Sequence, residues 1–218
     1  MLHIVIPTFN AAAPLRRLLP DLTGERIIVS DGGSTDDTLD VALAGGAVIA
    51  AGRKGRGSQL RRGAQLAGLT GGAGDWFLFL HADAWLPAGW RAEVYEAMTH
   101  GNPRYFPLRI DARGFQPRLM ERLVAFRNLG WALPYGDQGL LVSRTDYHAC
   151  GGYPDWPLFE DVEIADRLSG LRPMRGRITM DAAKYERDGY WTRGWRNYQL
   201  LRAFRRGESA EALAERYR

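Results

Sequence analysis

Four short apolar runs, Leu2 to Ile6, Arg26 to Ser30, Ala47 to Ala50 and Trp76 to Leu80, recur through residues 1–98 with helix-patterned segments between them. Runs of this length fit strands buried on both faces, and each interval leaves room for a crossover helix. Helices are expected over Ala13 to Leu19, from the capping residues Ser34, Thr35 and Asp36 toward Leu43, over Gly57 to Leu69 despite Gly63, and after Pro87. This alternation implies an α/β fold, a mainly parallel sheet with helices on both faces. Beyond Met98 the pattern is mixed, with strands expected at Arg104 to Ile110 and Gly139 to Ser143 and a helix at Phe115 to Asn128. Val162, Ile164, Ala165 and Leu168 give a further helix one apolar face. In the tail, Trp195, Tyr198, Leu201 and Phe204 fall three apart and are expected to form a stripe docked on the domain.

The 218 residues fit one domain with a sizeable core. No segment approaches the roughly 20 apolar residues of a membrane span. MLHIVIPTFN has no basic residues ahead of its apolar stretch and is expected to be a first strand, which places the protein in the cytoplasm. Cys150 is the only cysteine, which excludes an internal disulfide and a cysteine-based zinc cluster. The net charge of +4, 29 basic against 25 acidic residues, suits anionic partners without choosing among them. No RNA- or DNA-binding motif accompanies it, so no nucleic-acid partner is expected.

Polar clusters stand at the ends of the expected strands or just beyond: Pro7-Thr8-Phe9-Asn10, Asp31-Gly32-Gly33-Ser34 and His81-Ala82-Asp83, with Glu160-Asp161 opening the later helix. Each alone is as easily a loop start, a turn or a helix cap. Parallel strands, however, share one C-terminal edge, where open α/β sheets bind ligands, so these clusters can converge on one crevice. An acidic residue such as Asp83 at that edge can hold a divalent cation against a phosphorylated ligand. The stretch RKGRGSQLRRG sets Arg53, Lys54 and Arg56 ahead of a helix start, a favourable place for phosphate. It matches neither GxxxxGK[ST] nor GxGxxG, which leaves a P-loop NTPase or a dinucleotide-binding domain poorly supported. Asp137 and Gln138, in YGDQG before a strand, are candidates for a ligand pocket, or equally a turn.

IPTFN, IIVSDGGSTDDT, FLFLHAD and GGYPDWPLFEDVEIADRL, in that order, resemble the signatures of glycosyltransferase family 2, whose members have the GT-A fold. GRGSQ, LPYGDQG and PLFEDVE, with HAD, are most similar to the small bacterial subgroup named for arsenosugar biosynthesis. The resemblance implies a single GT-A-like domain with a nucleotide-binding half over 1–98, an acceptor and catalytic half over 99–180, and a C-terminal lid and helix over 181–218. It implies inverting transfer of a sugar from a nucleotide-diphosphate donor, a UDP-sugar above all, to an acceptor hydroxyl, assisted by Mg2+ or Mn2+. The acceptor would be a small molecule or a lipid-linked one, with at most weak peripheral contact between the basic tail and the membrane's inner face. By the same resemblance Pro7, Thr8 and Asn10 border the nucleoside and Asp31 hydrogen-bonds the base. Arg56, Gln59, His81 and Ala82 contact the donor, Asp83 takes the metal, and Asp161 is the general base with Glu160 beside it.

The chain departs from the family's pattern at three places. His81 stands at the first position of the D-x-D metal motif, and imidazole suits softer ions better than Mg2+. Gln59 replaces an asparagine usual in relatives. No histidine follows Glu160, so a lid would act through other residues, with Tyr185, Arg187 or Trp191 as candidates. Two other readings stay open: a sugar nucleotidyltransferase, against which IVIPTFNAAAPL lacks the expected glycine-rich loop, and a non-catalytic nucleotide-sugar-binding module.

Overall fold

The computed structural model of the chain describes residues 1–69, 71–131, 133–182 and 189–217. Strands β1 (Leu2–Thr8), β2 (Arg26–Asp31), β3 (Val48–Ala51) and β4 (Trp76–Phe79) lie parallel in the order β3-β2-β1-β4, as the apolar runs imply. The register pairs Thr8 with Asp31 and Asp31 with Ala51, so the C-terminal ends of β1, β2 and β3 form one edge. β8 (Leu140–Ser143) joins β4 antiparallel, with Phe79 opposite Leu140, and so brings the residues preceding β8 to the same edge. β6 (Arg104–Tyr105) and β9 (Arg172–Pro173) complete this sheet.

Alternation along each strand builds two layers. Leu2, Ile4 and Ile6, with Ile27, Val29 and Leu78, pack beneath Leu15 and Leu18 of α1 (Ala12–Leu18), Ala42 of α2 (Thr38–Ala44) and Val94 of α4 (Trp90–His100). Val5, Ile28, Phe77 and Phe79 face the other way, onto Leu60 and Ala64 of α3 (Arg56–Gly68) and Tyr147 of α6 (Arg144–Ala149). Each such buried side chain is worth about 1.5–3 kcal/mol. Gly63 is the contact that lets α3 lie flat on β1, since a Cβ there would overlap Cγ1 of Val5. The fold is thus a mixed α/β domain with a mainly parallel central sheet, as expected.

Three expectations are corrected. Arg104 to Ile110 is not one strand: β6 stays in the large sheet, whereas β7 (Leu108–Asp111) pairs with β10 (Ile178–Asp181), which also pairs with β5 (Ala84–Trp85), in a separate three-stranded sheet. Pro107, which has no N–H for a ladder, stands at the break. Ser34 and Asp36 do not cap α2 as expected. Ser34 is drawn to Asp31, and Asp36 bridges the Ala12 and Thr38 amides. Last, the tail stripe does not dock as a unit. In α8 (Tyr190–Phe204) Leu201 is buried with Leu200 and Ala203, while Trp195 and Tyr198 face solvent. A three-residue step falls 60° short of a full turn, so nine residues carry the stripe from one side of the helix to the other. The buried side of α8, with Leu213 of α9 (Ala210–Tyr217), packs on Val162 and Ala165 of α7 (Glu160–Arg167).

Candidate active site

At the shared edge Asp31 gathers four donors. Its Oδ1 accepts the Thr8 hydroxyl at 3.0 Å and the Ser34 hydroxyl at 2.5 Å, and its Oδ2 accepts the Gly33 and Ser34 amides, both at 2.8 Å. Burial works against its charge, but the Ser34, Gly33 and Thr8 hydrogen bonds outweigh burial and hold the carboxyl below its usual range. Gln59 closes the floor beneath it: Nε2 donates to Thr8 O at 2.7 Å and Ser30 O at 2.8 Å, and Oε1 accepts the Gly55 amide. That buried amide has its capacity spent on backbone, so Gln59 shapes the pocket rather than touching a donor. Asn10, at φ 48°, ties the loops after β1 and β2 by accepting the Thr35 amide at 2.9 Å. Pro7 is half-buried in β1, and Lys54 lies over the exposed Phe9 ring, 3.6 Å from its centroid.

A second cluster sits beside β4. Glu160 and Asp161 open α7, where the helix dipole favours carboxylates. Arg56, in the first turn of α3, reaches both: Nε bonds Glu160 Oε1, and Nη2 lies 2.9 Å from Asp161 Oδ2. Asp161 also accepts the Gly136 amide at 2.7 Å and the Val162 amide at 2.8 Å. Glu160 is 0% exposed, and its Oε2 meets no donor among the described residues. Burial raises its pKa to about 7, with Arg56 opposing and Asp161 adding to the rise. The same neighbours, by attraction, raise the pKa of Arg56 although burial opposes it.

Gly136, in the turn before β8, stands between His81, which follows β4, and Asp161 at the start of α7. A Cβ built on it would stand 3.3 Å from Asp161 Oδ2 and 3.4 Å from His81 Nε2, so the imidazole and the carboxylate approach one spot from two sides. His81 Nδ1 in turn lies 3.9 Å from Asp83 Oδ1. Asp137 follows Gly136; its carboxyl pKa is raised by burial, lowered by Arg127 and Arg56, and raised again by Asp161 and Asp83. Four acidic residues from three separate stretches therefore share one electrostatic neighbourhood.

Two candidates fall outside this surface. Gln138 is 0% exposed; Oε1 accepts from Asn128 and Arg127, and Nε2 donates to Phe106 O, so it is a strut and not an acceptor contact. The Ala82 methyl is buried in the core, leaving only backbone for a ligand. Tyr185 and Arg187 lie outside the described residues, and Trp191 is exposed. Several site residues were not anticipated. Arg127 stacks on Tyr135 at 3.6 Å, and Tyr153 is buried beside Glu160 and Asp161. Phe159 holds a left-handed φ of 63° just before the acidic pair and stacks on Phe204 of α8 at 4.9 Å. No sequence signal marks Phe159, because a bulky residue at positive φ is set by its surroundings.

Among the described residues no group of three or more His, Cys, Asp or Glu side chains is arranged to hold a metal. Asp83 with His81 nevertheless fits a divalent cation in the manner of sites completed by waters and the substrate's own phosphates, which need only one or two carboxylates.

The model of Glycosyl transferase family 2 matches residues 3–153, more than half of the chain. Glu160 and Asp161 lie beyond that stretch. A comparison with curated proteins found no match. Among solved structures, S. aureus TarS 1-349 superposes with a TM-score of 0.64 at 13% identity, over 84% of this chain and 61% of that one. Glucosyl-3-phosphoglycerate synthase from Mycobacterium tuberculosis, in complex with Mn2+, uridine diphosphate and glucosyl-3-phosphoglycerate, gives 0.54 at 22%, over 83% and 70%. A mycobacterial protein gives 0.57 at 20%, over 83% and 65%. The chain thus spans about two thirds of the length of these structures, whose likeness establishes the fold.

Proposed function

The chain belongs to glycosyl transferase family 2, and on that premise we propose that it is an inverting, metal-assisted glycosyltransferase using a nucleotide-diphosphate sugar. One observation carries this reading: His81 and Asp161 converge on Gly136 at the carboxyl edge that also presents Asp31 and Asp83. A nucleoside would lie along Thr8 and Asp31, with a hydroxyl rotating away so that the Asp31 carboxylate accepts from the base. The Mn2+ and uridine diphosphate bound by the mycobacterial synthase favour the same ligands here. Asp83, with His81, would hold the cation, which when bound neutralises charge on the diphosphate.

Asp161 is the general base of this reading, taking the acceptor's proton as its oxygen attacks the anomeric carbon from the face opposite the leaving diphosphate. Its backbone donors are fixed, but Arg56 is partly exposed and can exchange partners. A diphosphate competes for that guanidinium and so frees Asp161 when the donor is in place. Asp137, whose carboxyl feels both Asp161 and Asp83, would orient the acceptor hydroxyl. GRGSQ, LPYGDQG and PLFEDVE, the stretches that resemble the arsenosugar subgroup, supply Arg56, Gly136 and Asp161, of which the first two both bond Asp161. The acceptor of this reading is a hydroxyl-bearing small molecule or lipid-linked compound.

Calorimetric titration of UDP, GDP and TDP with and without Mn2+, on the wild type and Asp83→Ala, tests the reading. Metal-dependent binding of one nucleotide, lost in the variant, is the expected result. No nucleotide binding under either condition would overturn it. Binding without sugar transfer would favour the non-catalytic module, whose base stays locked on Arg56.

A further inference from the structure

Helix α5 (Phe115–Trp131) turns an apolar face to solvent. Phe115, Phe126 and Leu129 are 73%, 76% and 75% exposed, and Arg122 lies among them, at positions i, i+7, i+11 and i+14 of one side of the helix. Leu123, at i+8, is also exposed. Helix α8 lies against α5, with Gly194 facing the Met120 methyl, and it exposes Trp191, Trp195 and Tyr198. Contiguous apolar exposure of this kind marks an interaction surface.

The charges identify the partner. α8 contains no acidic residue, and the single acid of α5, Glu121, is buried and paired with Arg118 at 2.7 Å. The exposed charges of the two helices include Arg122 of α5 and Arg202 of α8, and Arg205 and Arg206 follow directly after α8. A second copy of the chain would set arginine against arginine. Exposed tryptophan and tyrosine beside exposed apolar side chains and arginines suit the headgroup boundary of an anionic bilayer. No helix among the described residues is long and apolar enough to cross a membrane, so the contact would be peripheral. We infer that the α5–α8 face docks on anionic lipid. α5 also reaches the candidate site through Arg127, which stacks on Tyr135 at 3.6 Å and acts on the Asp137 carboxyl. Docking therefore sets that site within about one helix diameter, ~10 Å, of the lipid surface.

Co-flotation of the full chain with vesicles of phosphatidylcholine, alone or mixed with phosphatidylglycerol, tests this without nucleotide or turnover, so its failure is separate from that of the transferase reading. The wild type is expected to float with the mixed vesicles only, and less at high salt. The Phe126→Gln, Leu129→Gln double variant, changed at exposed positions that leave folding intact by circular dichroism, is expected to lose at least about tenfold in binding. Absence of wild-type binding to anionic vesicles, or equal binding by the double variant, would overturn the inference. So would a wild-type dimer that the double variant disperses in light scattering, since a second copy would then cover the face.

Discussion

Arg56 Nη2 lies 2.9 Å from Asp161 Oδ2, so the carboxylate proposed as general base is held by a cation contributed from the opposite side of the site. The same guanidinium bonds buried Glu160, and its removal leaves that carboxyl buried without the cation that favours its charged form.

Arg56→Ala is therefore expected to lower stability by up to about 3–5 kcal/mol, the scale of removing one partner of a buried ion pair. Because Arg56 is also the proposed diphosphate ligand, the KM for donor should rise by roughly tenfold or more. Denaturant unfolding and steady-state kinetics check the two effects; a stability loss with unchanged KM would confine Arg56 to a structural role.

Asp161→Asn keeps the shape of the side chain but cannot take a proton. Sugar transfer should fall by at least about 100-fold while nucleotide affinity holds, as measured by turnover and calorimetry on one preparation.

Glu160 gives the stability a pH dependence. The folded carboxyl binds its proton more tightly than the unfolded chain's, 4.5 against about 7, so its contribution is full below pH 4.5 and is lost as pH rises through 7. Glu160→Gln should remove this slope, seen as a difference in unfolding free energy from wild type that grows across that interval and then stays level.

A methyl at Gly136 would crowd Asp161 Oδ2 at 3.3 Å and touch His81 Nε2 at 3.4 Å. Gly136→Ala is expected to lower kcat by about 100-fold, the scale of a small misplacement of reacting groups, with nucleotide binding retained. Equal loss of binding would show that the loop shapes the donor pocket as well.

His81 gives the cation preference a handle. His81→Asp replaces an imidazole by a hard oxygen ligand and should shift activity from Mn2+ toward Mg2+, read from turnover across a titration of each metal. An unchanged ratio would place His81 outside the metal's reach.

Much of the framework was legible in the chain itself. Apolar runs bounded by polar clusters mark β1, β2 and β4, because strands buried on both faces tolerate little else, and the parallel arrangement then forces Thr8, Asp31 and Asp83 toward one edge. The acidic start of α7 was equally visible, since carboxylates suit a helix N-terminus whatever their further role.

Other features follow only from contacts between distant residues. Gln59 and Gln138 look like ligand contacts in their motifs, yet burial obliges their amides to satisfy backbone and neighbouring side chains. The split of Arg104 to Ile110 depends on a second sheet whose partner strand, β10, begins 67 residues after β7 ends. The tail stripe winds from solvent to core because its three-residue spacing is not the helix repeat, and only the packing of α8 on α7 and α5 decides which part is buried. Local pattern determined the strands, their shared edge and the acids upon it. Tertiary packing decided which polar groups are spent inside the fold and which remain for a ligand, because hydrogen-bond capacity is filled by whatever neighbours the fold provides.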